Sequence, residues 1–264
     1  MALEITPAIA YLFNKSLELG RVPKDWLDAH SVLVFKKGDK NRRSNYRPVS
    51  LTCILCKILE HIIQSSIMKH LDTHKILTDS QHGFRAKRSC ETQLILTLED
   101  ILKTTSKGKQ IDIALLDFSK AFDKVPHQRL NNKLNGFGIR DNTLNWISSF
   151  LHNRTQLVLL DNVKSSTTSV DSCAPQGTIL GRLLFLFYIN DLPENVKANV
   201  KLFADDCLLY KEINNISDGQ DLQNDLKALE SLENEWQMSF NADKCFIITA
   251  AEQKTQKSVE IKRR

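Results

Sequence analysis

Short apolar runs that end in carboxylates constrain the fold of this chain more than any other feature. Residues 111–116 read as a buried strand that stops at Asp117. Residues 200–203 and 208–210 read as the arms of a hairpin with Asp205-Asp206 at its tip. Both strands are apolar enough to lie centrally in a sheet and place their aspartates at neighbouring ends. Adjacent carboxylates repel, so ionising both is costly unless a cation lies close by. Hard divalent cations prefer oxygen donors, which makes Asp117, Asp205 and Asp206 a candidate metal site. Taken alone, an Asp-Asp pair also suits a solvated turn, and a lone aspartate suits the polar end of a strand.

The rest of the chain alternates helical and strand patterns without repeats, low-complexity tracts or an obvious linker. One compact unit is the simpler reading, and any lobes must share interleaved segments. An amphipathic helix is expected over 5–19, closed by Gly20, and a short strand over 31–35 leads into a polar loop at 36–47. Helical spacing runs over 51–71, over 92–102 behind a Ser89 cap, and over 142–151. Two β-rich runs flank Asp161-Asn162 as a hairpin, residues 180–192 return to helix, and a long helix (222–238) and a strand (246–249) precede a polar tail. The pattern predicts an α+β fold, with an antiparallel sheet and helices packed on one face, rather than a parallel βαβ array.

With 264 residues and 42% hydrophobic composition, the chain can bury a sizeable core. A net charge of +5 does not by itself identify a polyanionic partner, but its distribution can. Residues 36–47 concentrate Lys36, Lys37, Lys40, Arg42, Arg43 and Arg47 against Asp39 alone. Phosphate recognition fits that cluster, and an ordinary solvated loop would look the same. No signal sequence is recognised, and the apolar run 179–192 is interrupted by Gly181, Arg182, Asn190 and Asp191. The expectation is a soluble, intracellular protein (cytoplasm and/or nucleus) with reduced thiols and no membrane partner. Cys53, Cys56, His70 and His74 match a zinc-finger spacing. A helix over 51–71 would hold Cys56 and His70 about 20 Å apart, too far for one tetrahedral ion.

Asp117-Phe118-Ser119-Lys120-Ala121-Phe122-Asp123, Ala174-Pro175-Gln176-Gly177 and Phe203-Ala204-Asp205-Asp206 resemble, in order and separation, successive motifs of reverse transcriptases. Tyr46-Arg47-Pro48-Val49-Ser50-Leu51, Gly83-Phe84-Arg85 and Tyr188-Ile189-Asn190-Asp191-Leu192-Pro193 are similar to the non-LTR retrotransposon branch, particularly its jockey-like and chicken-repeat-like LINE elements. The resemblance covers Val22 to Cys245. It implies a right-hand polymerase with fingers and palm and an antiparallel palm sheet. The implied organisation is an N-terminal helical segment (1–21), a reverse transcriptase domain with fingers and palm interleaved (22–250) and a polar tail (251–264). No thumb or endonuclease motif is recognised, so a truncated product of weak processivity is expected.

The resemblance also implies residue roles. Asp117, Asp205 and Asp206 would bind two Mg2+ (or Mn2+) ions, with Lys244 as a proton donor to the departing pyrophosphate. Lys36 or Lys37, together with Arg47, would hold the incoming triphosphate, with template phosphate as the alternative partner. Phe118, Gln176 and Gly177 would line the nucleotide site. Phe122 matches a steric gate, an aromatic ring beneath the sugar that favours deoxynucleotides. The implied partners are an RNA template, a DNA primer and deoxynucleoside triphosphates. Two departures stand out: Cys173-Ala174 where that family more usually has Gly-Val, and Gly181-Arg182 where it usually has Gly-Pro. A catalytically silent nucleic-acid-binding module and another palm-like nucleotidyltransferase, such as a nucleotide cyclase, remain open alternatives.

Overall fold

The computed structural model describes residues 2–160, 163–170, 172–175 and 177–251, which leaves the expected Asp161-Asn162 turn, Gln176 and most of the polar tail outside the described residues. In chain order its elements are α1 (Ala2–Glu18), β1 (Asp28–Phe35), β2 (Tyr46–Leu51), α2 (Ile54–Thr73), α3 (Cys90–Thr105), β3 (Gln110–Asp117), α4 (His127–Gly136), α5 (Asp141–Leu151), β4 (Arg154–Leu160), β5 (Val163–Lys164), β6 (Thr168–Val170), α6 (Ile179–Ile189), β7 (Asn199–Phe203), β8 (Asp206–Ile213), α7 (Ile216–Trp236) and β9 (Phe246–Ala250). They divide into two compact units, one of Met1–Ile76 and Phe122–Phe187, the other of Leu77–Ala121 and Tyr188–Arg264.

The first unit is built on a sheet in the order β2-β1-β4-β5, with β6 also paired to β4. Strand β2 folds back on β1 from Phe35↔Tyr46 to His30↔Leu51, so the polar loop is the tip of a hairpin. That pairing delays the helical pattern expected from residue 51, and α2 begins at Ile54. Pro48 lies in β2 at the sheet edge, where its missing N–H costs no ladder bond. Strands β1 and β4 are parallel, in contrast to the other pairs. Helix α2 buries Cys56, Leu59, Ile63, Ile67 and Leu71, an i, i+3, i+7 stripe typical of an amphipathic helix. Helix α6 is apolar apart from Arg182, and every residue from Leu183 to Phe187 is buried, as a helix in a core must be.

The second unit carries an antiparallel sheet in the order β7-β8-β3-β9. Ile111, Ile113 and Tyr210 share one face and pack with Ile101 of α3. Cys207 and Leu209, of opposite parity on β8, are buried as well. The flanking helices start where local chemistry dictates. Ser89 and Thr92 form a reciprocal capping box on α3, and Asn215 and Asp218 form another on α7. No helix among the described residues is long and apolar enough to cross a membrane.

Candidate active site

Strand register brings two of the aspartates together. Asp117, the last residue of β3, is the cross-strand partner of Asp206, the first residue of β8. Asp205 occupies the two-residue connection between Phe203 and Asp206, which are themselves paired. Asp206 is exposed, yet its carboxyl is held above the ordinary carboxylate range, first by partial desolvation and then by the charges of Asp205 and Asp117, with Lys244 opposing. Lys244 donates from Nζ to Asp117 Oδ2 at 2.8 Å, and this bond raises the lysine's own pKa. The backbone that delivers Lys244 is tied to β3: Asn241 N–H donates to Asp117 O at 2.7 Å and Ser119 N–H to Ser239 O at 2.7 Å.

Three hard oxygen donors whose mutual repulsion is registered at Asp206 fit a divalent cation by chemistry and by charge. Among the described residues no trio of His, Cys, Asp or Glu forms a preformed metal cage, and Lys244 supplies the positive charge at Asp117. Cys56 and His70 lie near opposite ends of α2, about 20 Å apart along the helix axis, too far to share one tetrahedral ion.

The Asp205 turn is held from outside by a residue that sequence reading missed. Segment 80–82 runs beside β7, with Leu202 N–H donating to Ser80 O and His82 N–H to Leu202 O, both at 2.8 Å. Between them the buried Gln81 accepts from Gly83 N–H at 2.7 Å and from Ala204 N–H at 3.1 Å through one oxygen. Ala204 has φ +54, a left-handed conformation that a non-glycine residue adopts only when its surroundings demand it. Gly83 has to be glycine, because a Cβ there would stand 2.2 Å from Ala204 N. Gly83 belonged to a recognised motif; nothing in the spacing marked Gln81 as a buried clamp.

The first unit gathers several of the other candidates. Lys36 and Lys37 lie exposed at the start of the β1–β2 loop, and Arg47 is an exposed residue of β2 paired with Val34. The loop is ordered by its own polar groups: Asn41 N–H donates to Asp39 Oδ1 at 2.9 Å and Asn45 Nδ2 to Asp39 O at 2.8 Å. Gly177, at φ +93, approaches the same strand so closely that a Cβ would meet Ser50 O at 2.6 Å. Phe122 follows β3 in a single 3-10 turn; its carbonyl accepts from Ala174 N–H at 2.8 Å, and its ring stacks on Phe185 of α6 at 4.4 Å. Phe122, Gly177 and the Arg47 strand thus share one unit, while Asp117, Asp205, Asp206 and Lys244 share the other.

One expectation needs correction. The ring of Phe118 is buried and stacked on Phe240 at 4.4 Å, part of the apolar packing beneath α7, so only its main chain can face a nucleotide. Arg182, in contrast, is exposed on α6 and leaves the helix's apolar packing intact.

A family model described as reverse transcriptase (RNA-dependent DNA polymerase) matches residues 35–261. The chain is 30% identical over 253 residues to the RNA-directed DNA polymerase from mobile element jockey of Drosophila melanogaster, covering 92% of this chain and 28% of that protein. It is 27% identical to the probable RNA-directed DNA polymerase from transposon X-element of the same species, over 91% of this chain and 28% of that protein. The chain therefore spans little more than a quarter of the length of these relatives. Among solved structures, apo telomerase from Candida tropicalis, truncated from its C-terminal domain, matches with a TM-score of 0.60 at 13% identity, over 92% of this chain and 56% of that one. That likeness shows a shared α+β fold of the right-hand polymerase class. A family model spanning most of the chain, a relative at 30% identity and a common fold establish together that this chain belongs to the reverse transcriptase family.

Proposed function

We propose that this chain is an RNA-directed DNA polymerase that extends a DNA primer with deoxynucleotides on an RNA template. The observation that carries the reading is the register pairing of Asp117 with Asp206 beside Asp205, with Lys244 bonded to Asp117. Asp117, Asp205 and Asp206 would hold two Mg2+ or Mn2+ ions. Such ions, when bound, lower the pKa of an attacking hydroxyl and neutralise a leaving pyrophosphate. Lys244 carries its proton on Nζ at the edge of the carboxylates, where a departing pyrophosphate oxygen can receive it. Arg47, with Lys36 or Lys37, offsets triphosphate charge, and Arg47 suits a bidentate contact. Phe122, fixed by its stack on Phe185, would act as the steric gate, its flat ring accepting a deoxyribose and clashing with a ribose 2′-hydroxyl. Gly177 lets the main chain approach the base and sugar, and Gln176, its neighbour in sequence, offers both a donor and an acceptor.

In domain terms we read 1–21 as an N-terminal helical segment, 22–250 as the polymerase domain and 251–264 as a tail. All six cysteines are free thiols, which suits a reducing intracellular compartment, cytoplasm or nucleus.

The test is primer extension on RNA and DNA templates with Mg2+ or Mn2+, comparing the parent with Asp205→Ala. Loss of a carboxylate at the metal site is expected to lower extension by at least about 10³-fold, with template binding retained. Equal extension by the two proteins would sink the assignment. Binding without extension by either would favour a silent nucleic-acid-binding module.

A further inference from the structure

The first unit contains a buried carboxylate that the chemistry above does not use. Glu60 lies on α2, has 0% of its surface exposed, and directs Oε2 at the start of α6, accepting from Ile179 N–H at 2.8 Å and Leu180 N–H at 3.0 Å. The first amides of a helix have no partner within it and carry the positive end of its dipole, so a carboxylate is the strongest cap available there. Thr178 completes the cap: its Oγ1 donates to Pro175 O at 2.7 Å and accepts from Gly181 N–H at 3.1 Å. Burial pushes the Glu60 carboxyl up, while the Leu180 and Ile179 amides and the charge of the buried Arg154 favour the ionised form.

What this cap holds is the support of the nucleotide-facing residues. Upstream of it, Gly177 is pressed against Ser50 of β2, and a Cβ on Gly181 would strike Pro175 O at 2.3 Å, so turn, helix start and strand have no freedom to slide independently. Downstream, Phe185 of the same helix carries the ring of Phe122. Helix α2, which supplies Glu60, begins three residues after β2, the strand of Arg47. One carboxylate therefore links the Arg47 strand and its following helix to both Gly177 and the base of the Phe122 stack.

We propose that Glu60 is a positioning residue for nucleotide selection: by anchoring the start of α6 it fixes Gly177 and the Phe122–Phe185 stack in the arrangement that discriminates deoxyribose from ribose. The inference rests on the reading of Phe122 as the sugar gate. A buried carboxylate that served stability alone would alter melting and leave selection untouched.

The experiment measures single-nucleotide incorporation by the full 264-residue chain with deoxynucleotides and ribonucleotides, alongside thermal melting. The variants are Glu60→Gln, Glu60→Ala and, as a control for the gate, Phe122→Val. Gln keeps the shape and one acceptor oxygen but sets an amide group in place of the other carboxyl oxygen. The disturbed cap is expected to raise the deoxynucleotide KM by about tenfold in Glu60→Gln and to lower the deoxy-over-ribo preference by a similar factor, with kcat changing less. Glu60→Ala moves both further in the same direction; should it fail to fold, Glu60→Gln decides. Parental KM and preference in Glu60→Gln, with Phe122→Val relaxing the preference, would overturn the role of Glu60 alone. Unchanged preference in Phe122→Val would overturn the gate, and the KM of Glu60→Gln then decides whether Glu60 positions the turn.

Discussion

Cys173 has φ +142, a region that glycine enters freely and a side-chain-bearing residue enters only under constraint. The constraint is visible: His127 Nε2 is 3.0 Å from Cys173 O, Ser172 Oγ donates to Asp123 O at 3.0 Å, and Ala174 N–H donates to Phe122 O. The 172–174 connection beside Phe122 is thus fixed by its hydrogen bonds, and the cysteine side chain conforms. Burial pushes its thiol up to about 11, so it supplies no thiolate at neutral pH that substitution would remove. Backbone strain of this kind costs about 1–3 kcal/mol, against about 0.5–1 kcal/mol of extra chain entropy for glycine. Losing the part-buried side chain costs about 1 kcal/mol more, so the terms nearly cancel and Cys173→Gly should keep the melting midpoint within about 2 °C of the parent's. A midpoint lowered by more than about 4 °C would contradict this account. At this scale the sequence was uneven. Asp117, Asp205 and Asp206 were legible because carboxylates at the ends of apolar runs are costly without a purpose. Gln81 and Glu60 were not, because each side chain reaches a main-chain amide far away in sequence, 123 residues for Gln81 and 119–120 for Glu60, and no local pattern records that.

Among the elements, those with strong periodicity or clear caps were readable. The strand ending at Asp117, the hairpin around Asp205, and helix α3 behind Ser89 follow from apolar alternation and capping chemistry. Helix α4 was missed because only Leu130 and Leu134 mark a face in an otherwise polar stretch. The start of α2 was misjudged because Tyr46 to Leu51 is drawn into a ladder with β1, a tertiary pairing that overrides local preference. The β7–β8 connection depends on a comparable tertiary partner, the 80–83 segment. Gly83→Ala would drive a Cβ into Ala204 N and separate Gln81 from its two amides, leaving buried donors unpaired at about 1–3 kcal/mol each. The expected outcome is a lower melting midpoint together with at least about a hundredfold loss of extension, since a shift of about 1 Å in a catalytic group is enough for that. Extension at the parental rate from a folded Gly83→Ala protein would show that the turn's position does not matter to the chemistry.

For the whole molecule, 36 basic residues nearly balance 31 acidic ones, so the long-range field of a +5 chain attracts a polyanion only weakly. On the proposed function, nucleic-acid binding would come from local groups, and the densest is the β1–β2 loop, where Asp39 is the single acid and is engaged within the loop. Arg47, Lys36 and Lys37 lie at the roots of that hairpin, whereas Lys40, Arg42 and Arg43 lie towards its tip. On the proposed function, a division of labour would place triphosphate at the roots and template phosphate at the tip. For every backbone phosphate that the protein no longer neutralises, the slope of log affinity against log salt concentration should fall by about 0.7–0.9. Replacing Lys40, Arg42 and Arg43 together by alanine should then lower that slope by about 2 while the deoxynucleotide KM stays within about twofold of the parent. Titrations of primer–template binding at several salt concentrations, paired with nucleotide KM measurements, separate the two roles. An unchanged slope with a raised KM would assign the loop tip to the triphosphate instead. Asp205→Ala serves as the internal reference, because it removes a carboxylate from the other unit and should retain the parental slope while losing extension.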